Sequence, residues 1–382
     1  MSITIIKKDG GLKRALPTDD HVSCLLFEHA SNAPASWNGD TIRSFRSLAQ
    51  LEQSGILASD LFYGIVHYHV SEYFRMHENG EVYVGFNLLG QGSVTATANS
   101  IKAATNGRVR QYGVFYNNLS ATADSQALMD ELEGLAMDGV VIFGYTGSLS
   151  YTSIPDQTTK PDSKVWPLIA GDGANKGASY ATALGLTYIP AVGSALGALS
   201  LSKVHESFAY VRLYNMSDGQ ELEDPVMCDG TKLASMLAAD LQALKESGFG
   251  FFVKQVGVAG TYISDNRTAT DPQSDYSSLN INRVAQKAAR GIRAELVQEL
   301  NGSVKIDPVT GQLSVGYIDY IETLTSDPLQ AMQVAGELSG YTVFIDPTQN
   351  LLQTSALEIE VTLIPIGISR EIKVTLSFAL SE

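Results

Sequence analysis

The sequence predicts an α+β chain, a mixed α/β layer followed by a second block with a mixed sheet and flanking helices, and extended strand arms at both termini. Three observations carry that expectation. Between Val22 and Ile169, short apolar runs alternate with helical spacings, the order that stacks helices on a sheet. Near the C-terminus Leu357, Ile359, Val361 and Leu363 alternate with Glu358, Glu360 and Thr362, the pattern of a half-buried strand. Ile366, Ile368, Ile372, Val374, Leu376 and Phe378 then fall at even positions. The apolar face has therefore changed sides across Ile364 and Pro365, where proline removes a ladder donor and allows a bend.

The elements follow in order. Ile3 and Ile5 form a short N-terminal strand before the basic, glycine-containing turn at 7–11, and residues 1–20 read as an arm. A buried strand at 22–27 precedes a polar loop at 31–40, a helix over 45–51 stopped at Gly55, and a helix over 65–76 with Val66, Val70, Tyr73 and Phe74 at helical spacing. Asn79 and Gly80 turn into a strand at 81–86. Helices over 96–104 and 124–137 precede strands at 112–116 and 139–143, and a further strand at 165–169 follows a polar loop. Residues 21–217 are thus expected to form an α/β domain. A second domain, 218–365, opens on the acidic loop at 218–229 and continues as a helix over 233–247, a strand at 249–253, a glycine-rich polar stretch at 257–278 and a long helix over 279–300 stopped by Asn301 and Gly302. Helices over 317–324 and 327–338 and a strand at 341–345 lead to the closing strands, with 366–382 as the C-terminal arm.

Composition sets the outer limits. The 382 residues carry a formal net charge of −15 and are 44% hydrophobic, enough for a sizeable core and unsuited to nucleic-acid backbones or anionic membranes as main partners. Two cysteines, Cys24 and Cys228, cannot make a disulfide framework and suit a reduced compartment, with cytoplasmic synthesis as the default. No apolar stretch follows the N-terminal lysines and no run is long enough to cross a membrane. Residues 182–201 come nearest, interrupted by Pro190 and several glycines.

Each pattern that suggests chemistry lacks a part. His67 and His69, with His77 nearby, would share a face on a strand, but on a helix residues two apart diverge and no further ligand completes a metal set. The glycine-rich stretch at 170–179 has no Lys-Ser/Thr ending for a phosphate loop. Asp265, Asp271 and Asp275 lack the glycine and bidentate glutamate of a calcium loop and read as solvated aspartates. No Ser-His-Asp or Cys-His set can be assembled. The expectation is no catalytic residue, no metal, no cofactor and no enzyme activity. The 279–300 helix is more informative: Ile281, Val284, Ala285, Ala288, Ile292 and Leu296 share one face, and Arg283, Lys287, Arg290 and Arg293 form a basic stripe. That stripe fits either a solvated face or contact with an acidic partner.

Three stretches in order, 244–253 with Gly260-Thr-Tyr262, the Asp275-Tyr loop entering the Arg-bearing helix, and the closing strand, proline and terminal run, resemble the tail sheath proteins of contractile phages and related injection machines. The resemblance covers about the last 140 residues together with the N-terminal strand; it does not extend to 22–218, where the family's pattern leads one to expect variable outer insertions. It implies a sheath-like C-terminal core and a mechanical protein assembled in the bacterial cytoplasm into a virion tail or phage-tail-like particle. Stacked six-membered rings would surround an inner tail tube and contract to drive it through an envelope, with baseplate and tail terminator proteins as further partners and neither nucleic acid nor membrane insertion. Arms at Ile3 and Ile5 and at Ile372, Val374, Leu376 and Phe378 would pair between subunits, and from Pro365 the chain can reach about 55 to 60 Å. Arg283, Lys287, Arg290 and Arg293 are expected to face the tube, with the acidic helices over 317–338 as second choice. The competing expectations are a soluble α/β enzyme or ligand-binding protein with its termini paired within one chain, or another tail or baseplate component.

Overall fold

The computed structural model describes residues 19–28, 33–60, 63–86, 93–116, 130–131, 139–145, 150–153, 156–159, 163–217, 219, 221–307, 311–376 and 378. The strand expected at Ile3 and Ile5 lies outside these residues, as does most of the helix expected over 124–137. The first elements are β1 (Ser23–Glu28), β2 (Ile42–Phe45), α1 (Leu48–Gln53), α2 (Gly64–Met76), β3 (Val82–Phe86), α3 (Val94–Thr105), β4 (Gln111–Tyr116), β5 (Val140–Gly144) and β6 (Val165–Leu168). They build a six-stranded sheet in the order β2-β3-β1-β4-β5-β6. All neighbours run parallel except the edge pair β2 and β3. β3, β5 and β6 are buried along their whole length, which explains their near-continuous apolar runs: a parallel sheet hides both faces.

The chain continues as β7 (Ala170–Asp172), α4 (Lys176–Leu184), α5 (Val192–Leu201), β8 (Pro225–Met227), α6 (Ala238–Glu246), β9 (Phe252–Val253), β10 (Tyr262–Ile263), α7 (Leu279–Leu296), α8 (Val315–Val334), β11 (Leu338–Phe344), α9 (Leu351–Thr354) and β12 (Glu360–Pro365). With both helices and mixed sheets the fold is α+β, as expected. α5, the most apolar stretch of the sequence, is buried from Val192 to Ser200 and packs on α2. Gly193 and Gly197 make this possible, since a Cβ at Gly193 would overlap the His69 carbonyl and one at Gly197 would lie 2.6 Å from the Tyr73 carbonyl.

Contacts divide the chain into two units, residues up to 203 with 208–287, and 204–207 with 288–382. This division falls within α7, and residues on both sides of 217/218 share the first unit. The reason is visible at the sheet edge: Gly250 N donates to the Pro167 carbonyl at 2.7 Å and Ile169 N to the Gly250 carbonyl at 3.0 Å, so residues after 218 extend the sheet beyond β6. Phe249, Phe251, Phe252, Ile263 and Leu279 belong to the same core as β1 and β4. The second unit has a smaller core of Leu313, Ile321 and Ile345.

Four local expectations are corrected. Phe45 closes β2, and α1 starts only after Ser47, whose hydroxyl accepts from Gln50 N. The 233–247 helix is a 3-10 turn and α6, separated by extended backbone at Met236 and Leu237. Only Phe252 and Val253 of the 249–253 run pair as a strand with β10. The two helices expected between 317 and 338 are the single α8, which runs through Pro328 and ends at Gly336 with φ 72°.

Replacing Gly197 with alanine is expected to lower stability by about 1–3 kcal/mol through overpacking of α5 on α2. Gly316→Ala is its control, because nothing lies within 4 Å of the new Cβ. Thermal melting of the two variants checks this, and equal melting temperatures would refute the close approach.

Candidate inter-subunit interface

The C-terminal elements form a ribbon with more edge than cover. β11 and β12 pair antiparallel, Tyr341 with Leu363 and Val343 with Val361, with an irregularity between Leu338 and Gly340. These four side chains are half-buried on one face, whereas Phe344 and Ile364 are exposed on the other. The two strands make up their whole sheet among the described residues, and a lone two-stranded ribbon is marginal in water. Its outer edges present unpaired backbone groups that template further pairing.

Burial records the change of phase at Pro365. Leu357, Ile359, Val361 and Leu363 are half-buried before it, and Ile366 and Ile368 after it. Beyond that point the described residues take no part in any sheet. Ile372, Val374, Leu376 and Phe378 are 81%, 74%, 87% and 104% exposed. The second terminal run is therefore paired with no strand among the described residues.

The basic stripe of α7 is corrected by its partners. Arg283 is buried; its guanidinium donates to the Ser202 hydroxyl at 2.8 Å, the Ser202 carbonyl at 3.0 Å and the Lys203 carbonyl at 3.3 Å. Lys287 pairs with Asp20 at 2.8 Å, both side chains mostly covered. Of the four cations Arg290 is half-buried and Arg293 exposed. The stripe is thus two structural cations followed by two nearer the solvent, because α7 starts inside the first unit's core at Leu279.

The comparisons with known proteins extend over the whole chain. Residues 275–382 match the family DUF2586, C-terminal domain. No curated protein matches the sequence. A chain in the 6-fold symmetrised structure of the anti-feeding prophage (AFP) baseplate superposes with a TM-score of 0.66 at 12% identity, covering 100% of both chains. The AFP helical sheath in its contracted state gives 0.63 at 13% identity over 100% of this chain and 99% of that one. The contracted sheath complex of the extracellular contractile injection system PVC gives 0.62 at 13% identity over 99% of each. The fold is that of contractile sheath proteins.

Within this sheath fold the sequence patterns that suggested chemistry serve structure. His67 Nε2 lies 2.9 Å from Glu52, His77 Nδ1 lies 2.8 Å from the Ser200 hydroxyl, and His69 Nδ1 accepts from Gly193 N at 3.3 Å. Burial among Phe27, Phe115 and Tyr68 depresses the His69 imidazole to about 3, so it stays neutral. Asp265 sits between Lys245 at 3.5 Å and Arg267 at 3.4 Å. Asp271 turns back onto Gln273 N at 2.8 Å. No group of three metal-ligating side chains occurs among the described residues.

The glycine-rich stretch at 170–179 carries an anion of the protein's own. Asp172 accepts from Asn175 N at 2.6 Å and Leu222 N at 2.9 Å, and Glu221 accepts from Lys176 N at 3.2 Å and Gly177 N at 3.4 Å at the start of α4. A helix N-terminus favours such a carboxylate. Glu221 is an interaction the sequence hides, since 45 residues separate it from Lys176 and no spacing rule links them.

Burial raises the Glu221 carboxyl above its ordinary value; the Lys176 N–H draws it back while Asp172 and Glu72 push it further up. A raised folded value means a stability contribution that is full below the ordinary glutamate range and lost as pH rises through the folded value. Glu221→Gln keeps a carbonyl acceptor and removes the titration. The variant's urea midpoint is expected to fall less than the parent's between about pH 4 and about pH 7; the same fall in both proteins would count against the arrangement.

Proposed function

We propose that the chain is a structural subunit of a contractile sheath, which polymerises as stacked six-membered rings around an inner tube and shortens to drive that tube through a target envelope. The observation that carries this reading is the uncovered alternating arm, Ile372, Val374, Leu376 and Phe378, on a chain with the sheath fold. A segment with one apolar side and free backbone donors and acceptors gains both when it adds to the edge of another copy's ribbon. Strand addition also keeps copies linked while their other contacts change, which a shortening lattice requires.

The partners follow from this: further copies, an inner tube protein, and baseplate and terminator proteins at the ends of a virion tail or phage-tail-like particle assembled in the bacterial cytoplasm. The net charge of −15 disfavours nucleic acid, and no helix of the described residues is long and apolar enough to cross a membrane. The work comes from the free-energy difference between two lattice packings, so the subunit acts without catalysis or cofactor. For contact with the tube, Arg290 and Arg293 of α7 lie nearer the surface than Arg283, which is buried. A baseplate component is the second reading, favoured by the likeness to a chain of the AFP baseplate.

Negative-stain microscopy of the purified protein tests the main reading, with long tubes expected and a discrete small oligomer against it. Removing residues 372–382 is expected to leave a folded, soluble monomer with assembly lost, because the described residues of this segment take part in no sheet; normal tubes from the truncated protein would refute the arm. Arg293→Glu is expected to abolish coating of inner tubes while changing thermal stability by no more than about 0.5 kcal/mol. Contraction of assembled particles in nucleotide-free buffer separates a lattice-driven machine from one that needs a nucleoside triphosphate.

A further inference from the structure

The four residues Asp19 to Val22 are held far more firmly than the start of β1 requires. Arg108 donates to Asp19 Oδ1 through Nη2 at 3.0 Å and Nε at 3.3 Å, and to both carboxylate oxygens of Glu81 at 2.9 and 3.3 Å. Arg46 reaches the same Glu81 at 3.0 Å. Asp20 pairs with Lys287 of α7 at 2.8 Å. The His21 carbonyl accepts from three side chains: the Ser200 hydroxyl of α5 at 2.7 Å, Gln111 Nε2 of β4 at 3.2 Å and the Ser23 hydroxyl at 3.3 Å. Val22 N closes back onto the Asp19 carbonyl at 3.0 Å.

Three carboxylates, Asp19, Asp20 and Glu81, thus meet three cations, Arg46, Arg108 and Lys287. Burial alone would raise the Glu81 carboxyl, but hydrogen bonds and charge from Arg108 and Arg46 outweigh it and hold it below its ordinary value. Adjacent aspartates repel unless each has its own cation, so the segment is specified as well as attracted. β1 does not need this help for pairing. It already lies between β3 and β4 with a full parallel register on both sides. Pins placed just before a strand that is paired on both edges resist one thing in particular: the peeling of β1 from its N-terminal end by a pull on the chain that precedes it.

We propose that Asp19–Val22 is an ionic anchor that isolates the sheet from tension on the preceding segment, with Arg108 and Lys287 as its two pins. The proposal rests on the sheath reading for the source of the tension, an inter-subunit arm, while the anchor itself is a property of the single chain. Lys287, expected from the sequence to face a tube, is on this account a positioning residue for the arm.

Hydrogen exchange on the unassembled full-length protein tests it. In Lys287→Glu and in Asp20→Lys the Val22 amide is expected to exchange about three- to tenfold faster, with amides of β4 and β5 unchanged; the double charge swap restores protection. Where a reversal fails to fold, Lys287→Met and Asp20→Asn replace it, with the same acceleration expected. Unchanged Val22 exchange, acceleration spread evenly over the sheet, or no rescue by the double swap would each overturn the anchor. Microscopy of the same preparations keeps the two readings apart. Local acceleration without tubes in the parent protein leaves the anchor standing and removes the sheath, whereas tubes with unchanged exchange do the reverse. Tubes assembled from Lys287→Met are further expected to fragment under shear that leaves parent tubes whole, and equal fragmentation counts against the mechanical role.

Discussion

The close approach of α5 to α2 determines what the first unit can build. With glycine at positions 193 and 197 the two backbones meet without side chains between them, and α5 sinks toward the sheet as well. Gly113 of β4 faces Val192 and Leu196 across a gap that a Cβ would close to 2.8 and 3.1 Å. Glycine therefore sits on both sides of one helix. The position of α5 in turn aims its polar residues: Ser194 donates to Glu72 at 2.8 Å, and Ser200 lies 2.8 Å from both Tyr73 and His77 while donating to the His21 carbonyl. A slip of one residue along α5 would misplace all of these at once, in an interior where an unmet polar group costs about 1–3 kcal/mol.

The legible parts of the sequence were those governed by periodicity. The strands at β1, β3, β4, β5 and β6 and the helices α2, α3 and α7 follow from runs of Val, Ile, Phe and Tyr or from apolar spacing, because a buried face leaves a repeat in the chain. The terminal run alternates in the same way, although its described residues take part in no sheet. What periodicity does not encode is which distant group a charge will meet. Arg283 and Arg293 lie on one helix and read alike, yet one is buried against Ser202 and the other is exposed, since the burial is made by a segment 80 residues away. The return of Gly250 and its neighbours to the sheet is illegible on similar grounds, since it is made by backbone bonds that any sequence can make.

The acidic composition also has an internal side. Glu72, Asp172 and Glu221 are each almost fully buried, near Tyr68. Arg75 answers the first at 2.6 Å, and backbone N–H groups at the start of α4 answer the other two. Ionised groups inside a protein persist only where charge or donors meet them. The loop that looks like a phosphate cradle is thus filled by the protein's own carboxylates.

The reversal of phase at Pro365 gives the C-terminal segment something akin to a reading frame of two. Upstream, the odd-numbered apolar residues are half-buried, and just downstream Ile366 and Ile368 are. Adding or removing one residue between Pro365 and Ile372 would move the apolar comb to the opposite side of the segment, whereas a change of two would return it with only its reach altered by about 7 Å. Length variation in such a segment is therefore quantised, and under the proposed pairing between copies, arms of opposite parity would be mutually incompatible even with every side chain unchanged.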